Sequence, residues 1–315
     1  MFETRKSLTQ KDFVTFLEYT REELLALLGL SEKLRQQWIS KQLPRYLQGK
    51  AIALVWGAEG FRNRVAFELG IAMLGGTAVQ IPGRLDERES IEDVTRYLNN
   101  WFDAIVARTK PHQYMQRLAS AAQIPVINAR TDYNHPCEIL GDLAYIRARK
   151  GRIEGIKVAF VGEATNLCHP WLEAAARLPI QVVQVCPAGY QVDPALLAEL
   201  RQGAVGELSV TEDLKAGLQN ADVVYTDCWP ARRDDAECQR VQQLFAPYQI
   251  TAENLAWARP DVLFLPCPPV HRGEEVSASA MQSPACCVYD AKEYLLHAQN
   301  AVLVTLLSDL HDQNQ

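Results

Sequence analysis

Short apolar runs alternate along this chain with longer segments of helical periodicity, and that alternation restricts the fold more than any other feature. Ala51-Ile-Ala-Leu-Val-Trp56 is the first such run, and Thr77–Ile81, Ala104–Ala107, Pro125–Asn128, Lys157–Val161, Ile180–Val185, Val223–Thr226 and Val262–Leu265 follow. Arg21–Arg35, Asn63–Leu74, Ile91–Trp101, Gln113–Ala122 and Pro136–Arg149 read as helices, the first opened by Thr20 with Glu23 in a capping box. Strands that are apolar throughout are buried on both faces, and helices between them supply parallel crossovers. The fold class expected is therefore α/β, with doubly wound parallel sheets. A chain of 315 residues exceeds one ordinary core. Two domains are expected, over residues 1–150 and 151–290, with the boundary near Lys150-Gly-Arg-Ile-Glu-Gly155. A last helix over 291–312 has no strand after it and is expected to pack back on the first domain.

Charge and cysteine usage narrow the function. A formal net charge of −6 offers no basic field for nucleic acid. No apolar run approaches the roughly 20 residues of a membrane span, and the first residues lack a signal-peptide core. A soluble, cytoplasmic protein without membrane or nucleic-acid partners is expected. The eight cysteines form no CxxC pair, so buried thiols are expected rather than a disulfide framework. None of the six histidines joins a cysteine at finger-like spacing, and no metal site is expected. A G-x-G-x-x-G fingerprint is absent, which argues against a nicotinamide cofactor, and no cofactor is expected.

Ligands of open α/β sheets bind beyond the carboxyl ends of the strands. Gly60-Phe-Arg-Asn-Arg64 follows the first strand and enters a helix, combining backbone donors with two guanidinium groups suited to phosphate. Solvated first-turn arginines would look the same. Arg108 ends another strand, and Asn134-His-Pro-Cys-Glu138 opens a helix with His135 just ahead of it. In the second half Gly162-Glu-Ala-Thr-Asn166 follows a strand, as do Thr226-Asp-Cys-Trp229 and Leu265-Pro-Cys-Pro-Pro-Val-His-Arg-Gly-Glu-Glu275. Asp227 near Cys267 would make an acid–thiol pair able to position or deprotonate an amine. A buried thiol beside a capping carboxylate is the plainer alternative.

Together these loops resemble the aspartate/ornithine carbamoyltransferase family, the ornithine branch most closely, nearly end to end. The resemblance is carried by Phe16-Leu-Glu-Tyr-Thr-Arg-Glu-Glu-Leu24, Val65-Ala-Phe-Glu-Leu-Gly70, Asn134-His-Pro-Cys-Glu138, Asp222-Val-Val-Tyr-Thr-Asp-Cys-Trp229 and His271-Arg-Gly-Glu-Glu-Val276. It implies two α/β domains, a homotrimer, and transfer of a carbamoyl group from carbamoyl phosphate to the amine of an amino acid. By position, Gly60, Phe61, Arg62, Asn63 and Glu138 would line the phosphate and carbamoyl site. Arg108 and His135 would face phosphate and carbonyl oxygen, Asn166 and Asp227 would bind the amino acid, and Cys267 would lie near the reacting amine.

The departures from the family pattern are concentrated. Its Ser-Thr-Arg-Thr-Arg reads Gly60-Phe-Arg-Asn-Arg64, its His-Pro-Cys-Gln ends in Glu138, and its His-Cys-Leu-Pro reads Pro266-Cys-Pro-Pro269. Leu295 stands where an arginine is expected, and Leu85-Asp-Glu-Arg-Glu89 replaces the loop that carries a neighbour's contacts. The ornithine-binding segment after Trp229 is Pro230-Ala-Arg-Arg-Asp-Asp235, in which Arg232 or Arg233 could bind an acidic acceptor or simply be solvated. Two readings follow: a carbamoyltransferase acting on ornithine or an altered acceptor, and a degenerate homologue serving as a regulatory, ligand-binding or structural subunit for another small anion.

Overall fold

The computed structural model of the chain describes residues 10–57, 60–230 and 234–308. It has two compact units: one runs to Ala144 and takes in the chain from Glu293, and the other spans Tyr145–Lys292. Strands β1 (Ala51–Trp56), β2 (Thr77–Pro82), β3 (Ala104–Arg108) and β4 (Val126–Arg130) form one parallel sheet in the order β2-β1-β3-β4. Helices α1 (Arg21–Ile39), α2 (Phe61–Met73), α3 (Ile91–Trp101), α4 (His112–Ala121) and α5 (Pro136–Lys150) alternate with them. Thr20 caps α1 through the capping box read from sequence, accepting from the Glu23 amide while the Glu23 carboxylate accepts from the Thr20 amide. β3 is buried throughout and β1 at its four central residues, whereas β2, at the sheet edge, stays largely exposed.

The second unit holds β5 (Lys157–Val161), β6 (Gln181–Val185), β7 (Glu207–Thr211), β8 (Val223–Thr226) and β9 (Leu263–Pro266), all parallel, in the order β7-β6-β5-β8-β9. Its helices are α6 (Cys168–Arg177), α7 (Pro194–Arg201), α8 (Leu214–Leu218), α9 (Asp235–Phe245), α10 (Ala252–Leu255) and α11 (Ala278–Gln282). α12 (Val288–Leu307) begins at Val288, ahead of the expected Ala291, and from Glu293 onward it belongs to the first unit. β7 is a strand the sequence did not announce. Only Leu208 of its five residues is buried, so as an edge strand it carries no apolar run to read.

Both sheets turn around at one point. From β1 the chain moves outward to β2 and then crosses back to β3, so the loops after β1 and β3 part and open a crevice at their carboxyl ends. The same reversal separates β5 from β8 in the second sheet. In the first unit α12 is admitted by two glycines. A Cβ at Gly141 of α5 would lie 3.0 Å from the Leu295 Cα, and one at Gly70 of α2 would overlap the Asn300 side-chain oxygen. Among the described residues no helix is long and apolar enough to cross a membrane, and no disulfide joins any of the eight cysteines, five of which are buried.

Candidate functional site

The crevice between β1 and β3 gathers Gly60, Asn63, Arg108, His135 and Glu138. Trp56 and Arg108 are paired across β1 and β3, and the Gly57 amide donates to the Arg108 carbonyl at 2.9 Å, so the β1 loop starts beside Arg108. The β3–β4 register slips at the same place, Ala107 pairing with Asn128 but Arg108 with Arg130. Such an irregularity re-aims the side chain that follows it. The Arg108 guanidinium packs under Gly60, which has φ +146° and no room for a Cβ against Cζ, Nε or Nη2. Glycine at 60 is thus required by both backbone conformation and space.

His135 and Glu138 come from the start of α5, and Asn63 from the first turn of α2. Asn63 Nδ2 lies 3.1 Å from Glu138 Oε2 and 3.3 Å from His135 Nε2, while Arg108 Nη1 is 3.5 Å from the same imidazole nitrogen. A carboxylate only accepts, so the Asn63 amide must turn its nitrogen toward Glu138. Gln299 of α12 fixes that orientation from behind, donating from Nε2 to Asn63 Oδ1 at 2.8 Å. His135 Nε2 therefore has Asn63 Nδ2 and Arg108 Nη1 as neighbours, with the Glu138 carboxylate 3.7 Å from the same nitrogen. All of Asn63, Arg108, His135 and Glu138 are at most 8% exposed. Cations and amides aimed at the crevice favour an anion there, and the buried Glu138 carboxylate works against it.

Arg62 is half-buried, its guanidinium 5.0 Å over the ring of Phe61, which is itself 67% exposed. Phe61 heads α2 instead of belonging to the loop, because Gly60 supplies a positive-φ N-cap and the helix starts two residues before the expected Asn63. Gln299 is the residue sequence reasoning missed. Its signal was the amide pair Gln299-Asn300 inside the apolar stretch Ala298–Val304.

The second unit has a corresponding set at the β5–β8 reversal. Gly162, at φ +150°, closes β5, a Cβ there would lie 4.0 Å from the Asp227 amide nitrogen, and Asn166 lies buried just before α6. Asp227 is half-buried after β8, its Oδ1 accepting from the Cys228 amide at 2.8 Å. Burial, followed by the charge of Asp227, pushes the Glu163 carboxyl upward. Thr226 pairs with Pro266, and the Cys267 amide donates to the Thr226 carbonyl at 2.8 Å, so Asp227 and Cys267 leave adjacent strand ends side by side. Cys267 is 8% exposed and precedes the cis Pro268–Pro269 bond. Arg232 and Arg233 lie outside the described residues.

Comparison with known proteins accounts for both units. Residues 11–148 match the family model of the aspartate/ornithine carbamoyltransferase carbamoyl-P binding domain, and residues 154–306 match that of the Asp/Orn binding domain. An ornithine carbamoyltransferase of Chlorobaculum tepidum is 38% identical over 96% of this chain and 91% of its own length. One of Thermococcus kodakarensis is 35% identical over 96% and 98%. The solved ornithine carbamoyltransferase of Pyrococcus furiosus superposes with a TM-score of 0.92 at 35% identity, covering 96% of this chain and 99% of that one.

Proposed function

This chain belongs to the aspartate/ornithine carbamoyltransferase family, and from that premise we propose that it binds carbamoyl phosphate in the first unit's crevice and transfers the carbamoyl group to the amine of an amino acid. The observation that carries the reading is the Arg108 guanidinium, held under Gly60 and against His135 where β1 and β3 part. Carbamoyl phosphate presents a dianionic leaving group and an electrophilic carbonyl. Arg108 and Arg62 would hold the phosphate, with the backbone amides at the start of α2 beside them. His135 would orient the carbonyl oxygen with Arg108. Charge that builds on that oxygen as the amine nitrogen attacks is then met by donors already in place. The C–O bond to phosphate breaks, the amine gives up a proton, and a ureido product and inorganic phosphate leave. In the second unit Asn166 and Asp227 would bind the acceptor's backbone groups, with Cys267 beside the amine. Ornithine is the acceptor named for the relatives above; the segment after Trp229 leaves room for an altered one.

A homotrimer is part of the same reading. Phe61, Val65, Leu69 and Met73 recur every fourth residue on α2 and are 42–67% exposed, next to the exposed edge strand β2 with Val79. A contiguous apolar stripe beside an unpaired edge is what a subunit interface needs.

The second reading is a homologue that binds an anion without transferring a carbamoyl group, and the Glu138 carboxylate buried among the would-be phosphate donors favours it. Incubation with labelled carbamoyl phosphate and a panel of amines, ornithine included, separates the two. Ureido product with at least one amine supports transfer. Protection from heat by carbamoyl phosphate without product supports the binding subunit, and neither result would leave the crevice without its ligand.

A further inference from the structure

Three ligand-bearing side chains that the transfer reading does not use meet at the carboxyl edge of the second sheet. Cys228 follows β8, and His271 and Glu275 lie in the loop after β9; their donor atoms all fall within 4.8 Å of one another. Cys228 and His271 are far apart in sequence, which is why no finger-like spacing announces them. The loop is held in place: Cys228 Sγ donates to the Pro269 carbonyl at 3.1 Å, and the Gly273 amide donates to the Val276 carbonyl at 2.8 Å. The His271 amide donates to Glu275 Oε1 at 2.5 Å and so fixes the carboxylate. The other oxygen, Oε2, belongs to a side chain only 1% exposed and has no hydrogen-bond partner among the described residues. It faces His271 Nδ1 at 3.8 Å, beyond hydrogen-bond length. A buried carboxylate oxygen without a donor is costly, and a cation among the three groups would satisfy it.

We propose that Cys228, His271 and Glu275 bind a divalent transition-metal ion of the zinc class, with one coordination position left to solvent. Thiolate, imidazole and carboxylate are the ligand set such ions prefer, and three protein ligands with an open fourth position is a recurrent arrangement. Tetrahedral bond lengths put donor atoms roughly 3.3–3.8 Å apart, so the trio closes by side-chain shifts of about an ångström. His271 is 52% exposed at its side chain and provides the way in. As the sulfur–metal bond forms, the thiol proton passes to solvent and the hydrogen bond to Pro269 is given up. Magnesium and calcium, which want oxygen ligands, are excluded by the same chemistry.

The test uses the full chain stripped with chelator, and does not depend on carbamoyl transfer. Titration with zinc chloride against a chromophoric chelator is expected to give one tight equivalent per chain. Cobalt chloride is expected to give thiolate-to-cobalt absorption in the near ultraviolet, and magnesium chloride no binding. Cys228→Ser removes the absorption, His271→Ala weakens zinc at least tenfold, and Cys238→Ser, on α9, changes neither; circular dichroism checks that each variant is folded. The proposal is overturned by an absence of stoichiometric zinc binding. It is equally overturned by absorption that survives Cys228→Ser or disappears with Cys238→Ser, or by zinc affinity unchanged in folded His271→Ala.

Discussion

Glu138 sits where an anionic ligand is expected, yet it is buried and its Oε2 accepts from Asn63 at 3.1 Å. Two like charges about 4 Å apart repel by roughly 1–4 kcal/mol, depending on the effective dielectric. Glu138→Gln keeps an oxygen for Asn63 Nδ2 and removes the charge, so carbamoyl phosphate should bind about tenfold tighter, worth about 1.4 kcal/mol, by calorimetry. Unchanged affinity would mean the phosphate does not approach this carboxylate. Gly60 is the converse case. The family's serine cannot simply be restored, because a Cβ at φ +146° collides with the Arg108 guanidinium. Gly60→Ala should cost roughly 1–3 kcal/mol in urea melts and weaken carbamoyl phosphate, since Arg108 must leave its seat. Neither consequence was legible in the sequence. The Gly60-Phe-Arg-Asn-Arg64 run showed a lost hydroxyl, while the fact that position 60 is filled by a guanidinium from another strand is a tertiary one.

The helix that supports this site is α12. Gln299 orients Asn63 through a 2.8 Å bond, and Asn63 in turn meets His135 and Glu138. Gln299→Leu strands Asn63 Oδ1 in a buried site, so stability should fall by about 1–3 kcal/mol. Because the amide can then turn over, KM for carbamoyl phosphate should rise while KM for the amine stays put; a purely structural role would move neither selectively. His297, two residues earlier, makes α12 sensitive to acid. Burial lowers its pKa from 6.5 to about 4, against the opposing pull of Glu293 at 3.7 Å. Between those values the unfolded chain takes up a proton that the folded one refuses, so stability is full above pH 6.5 and drains as pH falls toward 4. The loss is about 3 kcal/mol at 1.36 kcal/mol per pKa unit. Urea melts at pH 7 and pH 4.5 should show His297→Gln losing less than the parent over that interval. At this scale the sequence reads well where an element carries its own pattern: β1 and β5 have the expected bounds, and Thr20 caps α1 as its spacing with Glu23 requires. It reads poorly where the partner is remote, as with Gln299, or where the strand is an edge, as with β7.

At the scale of the whole molecule the two parallel sheets follow from buried strands and intervening helices, and the first sheet leaves its β2 edge largely exposed. Sheet edges are normally covered or blunted, and among the described residues β2 is exposed at four of six positions, with Val79 40% exposed. α2 beside it turns Phe61, Val65, Leu69 and Met73 outward, an i, i+4 stripe that a lone subunit would leave in water. Phe61 belongs to that stripe as well as to the segment entering the crevice, so the same residue change that adds bulk beside the phosphate loop also extends the apolar face. If subunits meet here, a charge in the middle of the stripe should part them without unfolding them. Leu69 is 42% exposed and one turn from either neighbour, so Leu69→Glu should leave the circular dichroism intact and alter the subunit's own stability by no more than about 0.5 kcal/mol. Light scattering after size exclusion should then give three times the chain mass for the parent and a single chain mass for the variant. A parent that runs as a single chain, or a variant that keeps the parent's mass, would remove α2 from any interface and leave its stripe to be covered by something other than a second copy.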